Sequence, residues 1–303
     1  MPELPDVTVY VEHIAKRTVG TTLDKIRIAS PFVLRTVDPS PRAAEGKKVL
    51  AVSRLGKRIV LHLEEQLFVV VHLMVAGRFK WIEPPGAPVP KKVGLVGFDF
   101  TKGTLILTEV STKKRASLHV LRGEAALAAM DPGGLEVMTA SLPAFKEALQ
   151  KESHTLKRTL TDPRLFSGIG NAYSDEILHR AKLSPARLSR QLGDEEIARL
   201  FEGTIVTLRE WTDRLRAESK DTFPTKVTAF RDEMAVHGKY GKPCPVCGKR
   251  VLRIVYAENE SNYCATCQTN GKLLADRALS RLLGKDWPKS LDELEAMKRE
   301  RRE

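Results

Sequence analysis

The chain has 303 residues, 42% hydrophobic and 29% charged, a soluble composition with room for two domains and a small third module. Fifty lysines and arginines against 38 acids leave a net charge of +12, which favours a polyanionic partner through phosphate contacts, although a merely basic enzyme carries the same surplus. No apolar run reaches the ~18 residues of a membrane span, and Glu3, Asp6 and Glu12 stand where a signal peptide would be apolar, so no membrane partner and a cytoplasmic location are expected.

In chain order, a Pro-rich start, MPELPD, leads into an amphipathic stretch. Val7, Tyr10, Val11 and Ile14 recur at helical spacing, with Glu12, His13, Lys16 and Arg17 between them. From residue 21 to about 120 the texture becomes β. Short apolar or alternating runs (KIRIAS, KKVLAVSRL, KRIVLHL, LFVVVHLMV, GRFKWIE, LVGFDF, TLILTEV) are divided by Gly and Pro, which predicts a sandwich or barrel. Residues 84–90, PPGAPVP, form a loop. The segment DPGGLEV reads as a linker. From 142 to about 217 apolar residues fall at i, i+3, i+4 in FKEALQ, HTLKRTL, NAYSDEILHRA and DEEIARLFEGTIVTLREWTDRLRA, so that part is helical. Residues 218–237 are less regular. The expected organisation is multidomain α+β: an N-terminal β-sandwich with a leading helix over 1–130, a linker over 131–141, a helical domain over 142–237, a β-hairpin zinc finger over 238–270 and a helical tail over 271–303.

All four cysteines lie in the finger, as Cys244-x-x-Cys247 and Cys264-x-x-Cys267 separated by 16 residues. Two such knuckles place four thiolates around one tetrahedral Zn²⁺. A closed four-thiolate site is structural rather than catalytic. The intervening RVLRIVYAENESNYC alternates like two strands joined by a turn.

Two other stretches carry chemistry. A small residue after Met1 permits removal of the initiator, leaving the secondary amine of Pro2 at the N-terminus. An α-amino group titrates near ~8, well below lysine, so it is the better neutral nucleophile and can form a Schiff base. Glu3 is placed to act as acid or base, and Asp6 can return to the same site. The same residues also fit a plain helix start, with Asp6 complementing the helix dipole. In residues 161–185, TDPRLFSGIGNAYSDEILHRAKLSP, a helix ends near Thr161 and another starts at about Asn171, a favoured N-cap residue. Gly168 and Gly170 between them would let the backbone approach a phosphate at a helix N-terminus, or simply form a tight interhelical turn.

PELP, the GIGN helix–loop–helix and the four-cysteine finger, in that order over about residues 2–268, together resemble the formamidopyrimidine-DNA glycosylase/endonuclease VIII family. The resemblance implies a β-sandwich, a helix-two-turn-helix domain and a zinc finger. It also implies base excision repair: removal of a damaged base and cleavage of the abasic site, on single- or double-stranded damaged DNA, by a monomer at the bacterial nucleoid. By position, Pro2 would be the nucleophile, Glu3 the acid/base, Lys57 in RLGKRIV the phosphate-touching lysine and Asn171 the phosphate-binding asparagine. Glu176 falls on a structural glutamate, and Cys244, Cys247, Cys264 and Cys267 fall on the zinc ligands.

The departures are informative. Asp6 stands for the family's glutamate. The HLGMSG strand reads HLMVAG, so the void-filling methionine falls on Val75, with Met74 beside it. The arginine–phenylalanine loop reads STKKRAS, where Lys113 or Lys114 keeps the charge but no aromatic remains. The finger arginine is Asn259, an amide that cannot offer a guanidinium's planar fork. These changes predict altered base choice around an intact nucleophile, or else a lesion-binding protein of the same fold with impaired chemistry. After Gln268 the tail extends past the family's usual end, and Leu273, Leu274, Ala278, Leu279 and Leu282 form a candidate helix face.

Overall fold

The computed structural model describes all residues except 226, 228–230, 257–258, 276–280, 282–283, 291–292, 295 and 298–303, and gives the backbone alone for 256, 259 and 286. The chain divides into two compact units, residues 1–134 with 209–228, and residues 135–208 with 229–303.

The first unit opens with α1 (Leu4–Thr18), whose Val7, Tyr10 and Ile14 are fully buried, as their spacing predicts. His13, read as a solvent-side residue, is also buried, and its Nε2 pairs with Ser219 Oγ at 3.1 Å. Eight antiparallel strands follow: β1 (Thr22–Ile28), β2 (Lys47–Leu55), β3 (Arg58–Leu63), β4 (Leu67–His72), β5 (Gly77–Ile82), β6 (Gly94–Phe100), β7 (Gly103–Glu109) and β8 (Ser117–Arg122). Their order is β5-β7-β6-β1-β2-β3-β4-β8. The β1–β2 seam holds by only two paired positions, Thr22↔Lys48 and Leu23↔Lys47, so the sheet is two four-stranded halves. Both halves feed one core: Ile26, Phe98 and Leu105 from one, Ile59, Val69 and Val71 from the other, with Tyr10 of α1. This is the expected sandwich. The run LFVVV is buried on both faces because Phe68 and Val70 turn outward beneath Leu127 and Met130, at and just beyond a short helix, α2 (Glu124–Ala128), that the periodicity did not disclose. The strand β8 was likewise not separated from the loop before it.

The second unit contains α3 (Leu142–Gln150), α4 (Leu156–Thr161), α5 (Asn171–Arg180) and the first part of α6 (Asp194–Ser219). Phe145 of α3 packs its ring against Phe166 and Phe201 at 5.0 and 5.2 Å between centroids. The finger follows, as a hairpin of β9 (Leu252–Tyr256) and β10 (Asn259–Tyr263) and a short α7 (Ala265–Thr269). Of the tail face expected from sequence, Ala278, Leu279 and Leu282 lie outside the described residues. Leu273, Leu274 and Leu294 cover the hairpin face made by Leu252, Ile254 and Tyr263, and the Leu274 amide donates to the Tyr263 hydroxyl at 3.0 Å.

Candidate functional site

In the first unit, the start of the chain is held by reciprocal caps. The Glu3 amide donates to Asp6 Oδ2 at 3.0 Å, while the Glu3 side chain accepts the Asp6 amide, and Pro5 sits in the first turn. The plain helix-start reading of MPELPD is therefore correct as far as it goes. Burial adds more. Pro2 is buried, and Glu3 and Asp6 are each only 1% exposed, an unusual place for two carboxylates that a cap alone does not need. The amine of Met1, the residue before Pro2, is itself partly buried. Burial pulls it below its ordinary value of 8.0; Glu3 and Asp6 pull it back, and Arg78 and Lys57 act with burial. The charges of Glu3, Asp6, Lys57 and Arg78 thus all act on the Met1 amine.

Lys57 lies in the two-residue turn between β2 and β3, where Leu55 pairs with Arg58 and Gly56 takes φ +60°, a left-handed geometry suited to glycine. It is a turn lysine, not a strand lysine. Arg78 was not singled out from sequence. Its guanidinium donates to the carbonyls of Val75 (3.2 Å) and Gly77 (2.7 Å), which ties the β4–β5 connection to the amine's surroundings. In that connection Val75 is 55% exposed, and Met74 takes φ +52°. Next to the turn, His72 is paired across the strands with Arg58. Burial, then the charges of Arg58, Lys57 and His119, push its pKa down to about 4, so it is a neutral imidazole at pH 7. In the β7–β8 loop Lys113 is exposed, whereas Lys114 donates to the Glu109 carbonyl. The buried Glu109 carboxylate accepts the amides of Arg115 and Ala116 at 2.9 and 3.0 Å and so shapes this loop.

In the second unit, the loop before α5 uses its glycines differently. Gly168 has φ +79°, which favours glycine, whereas Gly170 is extended (φ −134°) and is the helix cap itself. Asn171 is the first helical residue rather than the cap expected from sequence, and Lys157 Nζ donates to its carbonyl at 2.6 Å. Lys157 also donates to Asp175 Oδ1 at 2.6 Å. Asp175 is fully buried and collects His237 Nδ1 (2.9 Å), Ser261 Oγ (3.2 Å) and the Asn262 amide (3.1 Å). Despite burial, Lys157 and His237 hold its carboxyl below the usual range. Glu176 accepts the amides of Ala235, Val236 and His237 at 2.8–2.9 Å, the structural role the resemblance implies. One turn of α5 therefore fastens the helix-loop-helix, the segment before the finger and the finger hairpin together.

The four cysteine Sγ atoms all lie within 4.8 Å of one another. Cys244–Cys267 and Cys247–Cys264 are 3.9 and 3.4 Å apart. A Zn²⁺ with bonds of about 2.3 Å sets a tetrahedron edge of about 3.8 Å, so the donor set fits one structural zinc ion. Burial pushes the Cys264 thiol up to about 11, so four thiolates at neutral pH need a dication to hold them. His179 Nε2 lies 3.3 Å from Cys244 Sγ, a contact that orients the ligand. Asn259 opens β10; its side chain lies outside the described set.

These three parts correspond to three family models. The formamidopyrimidine-DNA glycosylase N-terminal domain matches residues 1–116, its H2TH domain matches 130–219, and a zinc finger found in FPG and IleRS matches 241–270. The formamidopyrimidine-DNA glycosylase of Thermus thermophilus is 32% identical over 279 residues, 89% of this chain and 100% of the relative; that of Heliobacterium modesticaldum is 29% identical over 276 residues, 88% and 100%. A solved complex of Lactococcus lactis Fpg with abasic-site DNA superposes with a TM-score of 0.77 at 26% identity, covering 88% of this chain and 99% of that one. The chain belongs to the formamidopyrimidine-DNA glycosylase family. Among the described residues, no helix is long and apolar enough to cross a membrane.

Proposed function

We propose that this protein is a bifunctional base excision repair enzyme, a DNA glycosylase and abasic-site lyase, with its N-terminal amine as nucleophile. The observation that carries the reading is the burial of Pro2 with the carboxylates of Glu3 and Asp6, next to a Met1 amine that also feels the charges of Lys57 and Arg78. Removal of Met1 leaves the Pro2 nitrogen in those surroundings. Its lone pair attacks C1′ of the damaged nucleotide, and the bond from C1′ to the base breaks. Glu3 supplies or takes the proton as the sugar ring opens to an iminium. Loss of a C2′ proton then expels the 3′ phosphate, and water hydrolyses the iminium to regenerate the amine. Lys57 holds the phosphate beside the lesion, and Asn171 with the Gly168–Gly170 loop holds the backbone at the α5 N-terminus. Lys113 adds charge from the β7–β8 loop. The zinc ion stabilises the finger.

Base choice differs from that of an 8-oxoguanine enzyme. Val75 is shorter than the methionine of the family pattern, the 111–117 loop has no aromatic, and the finger offers Asn259 between Glu258 and Glu260. These changes support oxidised pyrimidines, bulky or crosslinked bases, abasic sites or single strands as substrates. The finger substitution also supports a second reading, a lesion-binding protein with impaired chemistry.

Borohydride trapping separates them. The panel is abasic, 8-oxoguanine, formamidopyrimidine, thymine glycol, dihydrouracil and crosslinked DNA in single and double strands, with Pro2→Gly and an N-terminally blocked protein as controls. An adduct that disappears on blocking establishes the Schiff base. Selective binding with no adduct on any substrate leaves the second reading.

A further inference from the structure

Several connections of the first unit emerge at one end of the sandwich. Gly77 pairs with Glu109, His72 with Ser117 and Arg58 with His72, so the β4–β5 and β7–β8 connections and the Lys57 turn share that end. The chain leaving β1 joins them. The Ala29 and Ser30 amides donate to the Leu95 carbonyl at the start of β6. After the 3-10 turn Pro31–Val33, Leu34 bridges Leu118 in parallel, and the Arg35 amide donates to the Leu118 carbonyl at 2.9 Å.

Three apolar side chains stand in solvent here: Phe32 (75% exposed), Val110 (77%) and Val75. The fold does not need Phe32, because its neighbour Val33 is the residue that enters the core, at 2% exposure. A phenylalanine in water is unfavourable, and no described contact accounts for it. The loops that share this end carry cations. Arg35, Lys113 and Arg115 are exposed, Lys57 is in the neighbouring turn, and Arg78 donates to the Val75 carbonyl. An exposed ring among cations, at the same end as a nucleophile, matches the chemistry of a nucleic acid: phosphates for the cations, base π-faces for the ring. Extruding a nucleotide leaves a gap in the stack, and apolar side chains are the groups that fill such gaps.

We propose that Phe32 is the side chain that enters the DNA base stack beside the extruded nucleotide, flanked by Val75 and Val110. The proposal rests on the DNA-repair reading above. It also accounts for the missing aromatic of the 111–117 loop: the ring is carried by the neighbouring loop, bridged to the start of β8.

The test uses full-length, zinc-loaded protein and duplexes with or without a tetrahydrofuran abasic analogue. Phe32→Ala should weaken binding to the abasic duplex about tenfold, the loss of one aromatic–base stack, and leave binding to the undamaged duplex unchanged. Phe32→Leu should fall between. Phe32→Trp should keep wild-type affinity, and its added emission should be quenched by the abasic duplex. All three variants should keep the wild-type melting temperature, since the side chain is exposed. An unchanged preference in Phe32→Ala, an unquenched Phe32→Trp, or no binding of abasic DNA by the wild-type chain overturns the proposal. Borohydride trapping by the wild-type protein reports on the enzymatic reading separately. Trapping with a silent Phe32 sinks only the wedge, and a Phe32 effect without trapping sinks only the chemistry.

Discussion

Replacing Asp175 by Asn tests the network that ties α5 to the finger. The substitution keeps shape and part of the hydrogen bonding but removes the charge that faces Lys157, 2.6 Å away and only 6% exposed. Deleting one partner of a buried ion pair strands the other, at a cost of about 3–5 kcal/mol. Hydrogen exchange at amides 235–237 and along β10 should therefore accelerate roughly a hundredfold to several-thousandfold. Exchange in β3 and β4 of the other unit should not change. The double variant Asp175→Asn/Lys157→Met removes the stranded ammonium and should recover most of the loss, a coupling that a double-mutant cycle measures. Acceleration of less than about fivefold, or a double variant worse than the sum of the singles, would refute the stranded-charge argument. The carboxyl is held below its unfolded value, so its contribution is present above about pH 4 and is lost as pH falls through the lower folded value.

Other outcomes follow from the same structure. Glu176→Gln should selectively deprotect amides 235–237, because three donors lose a charged acceptor worth about 1.5–3 kcal/mol each. Chelating the metal, or Cys264→Ser, should unfold the finger and abolish specific DNA binding; retained zinc stoichiometry by mass spectrometry in Cys264→Ser would contradict the four-thiolate site. His72, pushed down to about 4 from 6.5, favours the folded state above pH 6.5, and that contribution fades as pH falls toward 4. His72→Gln should flatten the urea-midpoint profile over that window.

Much of this protein was legible in its residues. Cys-x-x-Cys spacing carries its chemistry locally, since two knuckles suffice to define a tetrahedral donor set. The strands and the long helix α6 show their periods because each buries one face or both, and β4 shows an unbroken apolar run for the second reason. Pro2 and Glu3 stand out as candidates through the PELP pattern alone, and their burial is what the structure adds.

What stayed hidden depends on partners far apart in sequence. Asp175 looks like an ordinary helix acid until Lys157, His237, Ser261 and Asn262 arrive around it, up to 87 residues away. His13 alternates with charged residues and reads as solvent-facing, yet Ser219 covers it from 206 residues on. Arg78 follows a glycine without any pattern, and only the registers of β4, β5 and β7 bring it toward the amine. Phe32 shows the converse: a hydrophobic residue whose exposure no sequence rule announces, because burial is decided by which neighbour the turn points inward. By itself, then, the sequence determined the local chemistry, meaning the metal ligands and the period of each element, and it pointed to Pro2 as the candidate nucleophile. The tertiary structure alone decided which charges are desolvated and which rings meet solvent, because both depend on contacts between segments that no local spacing encodes.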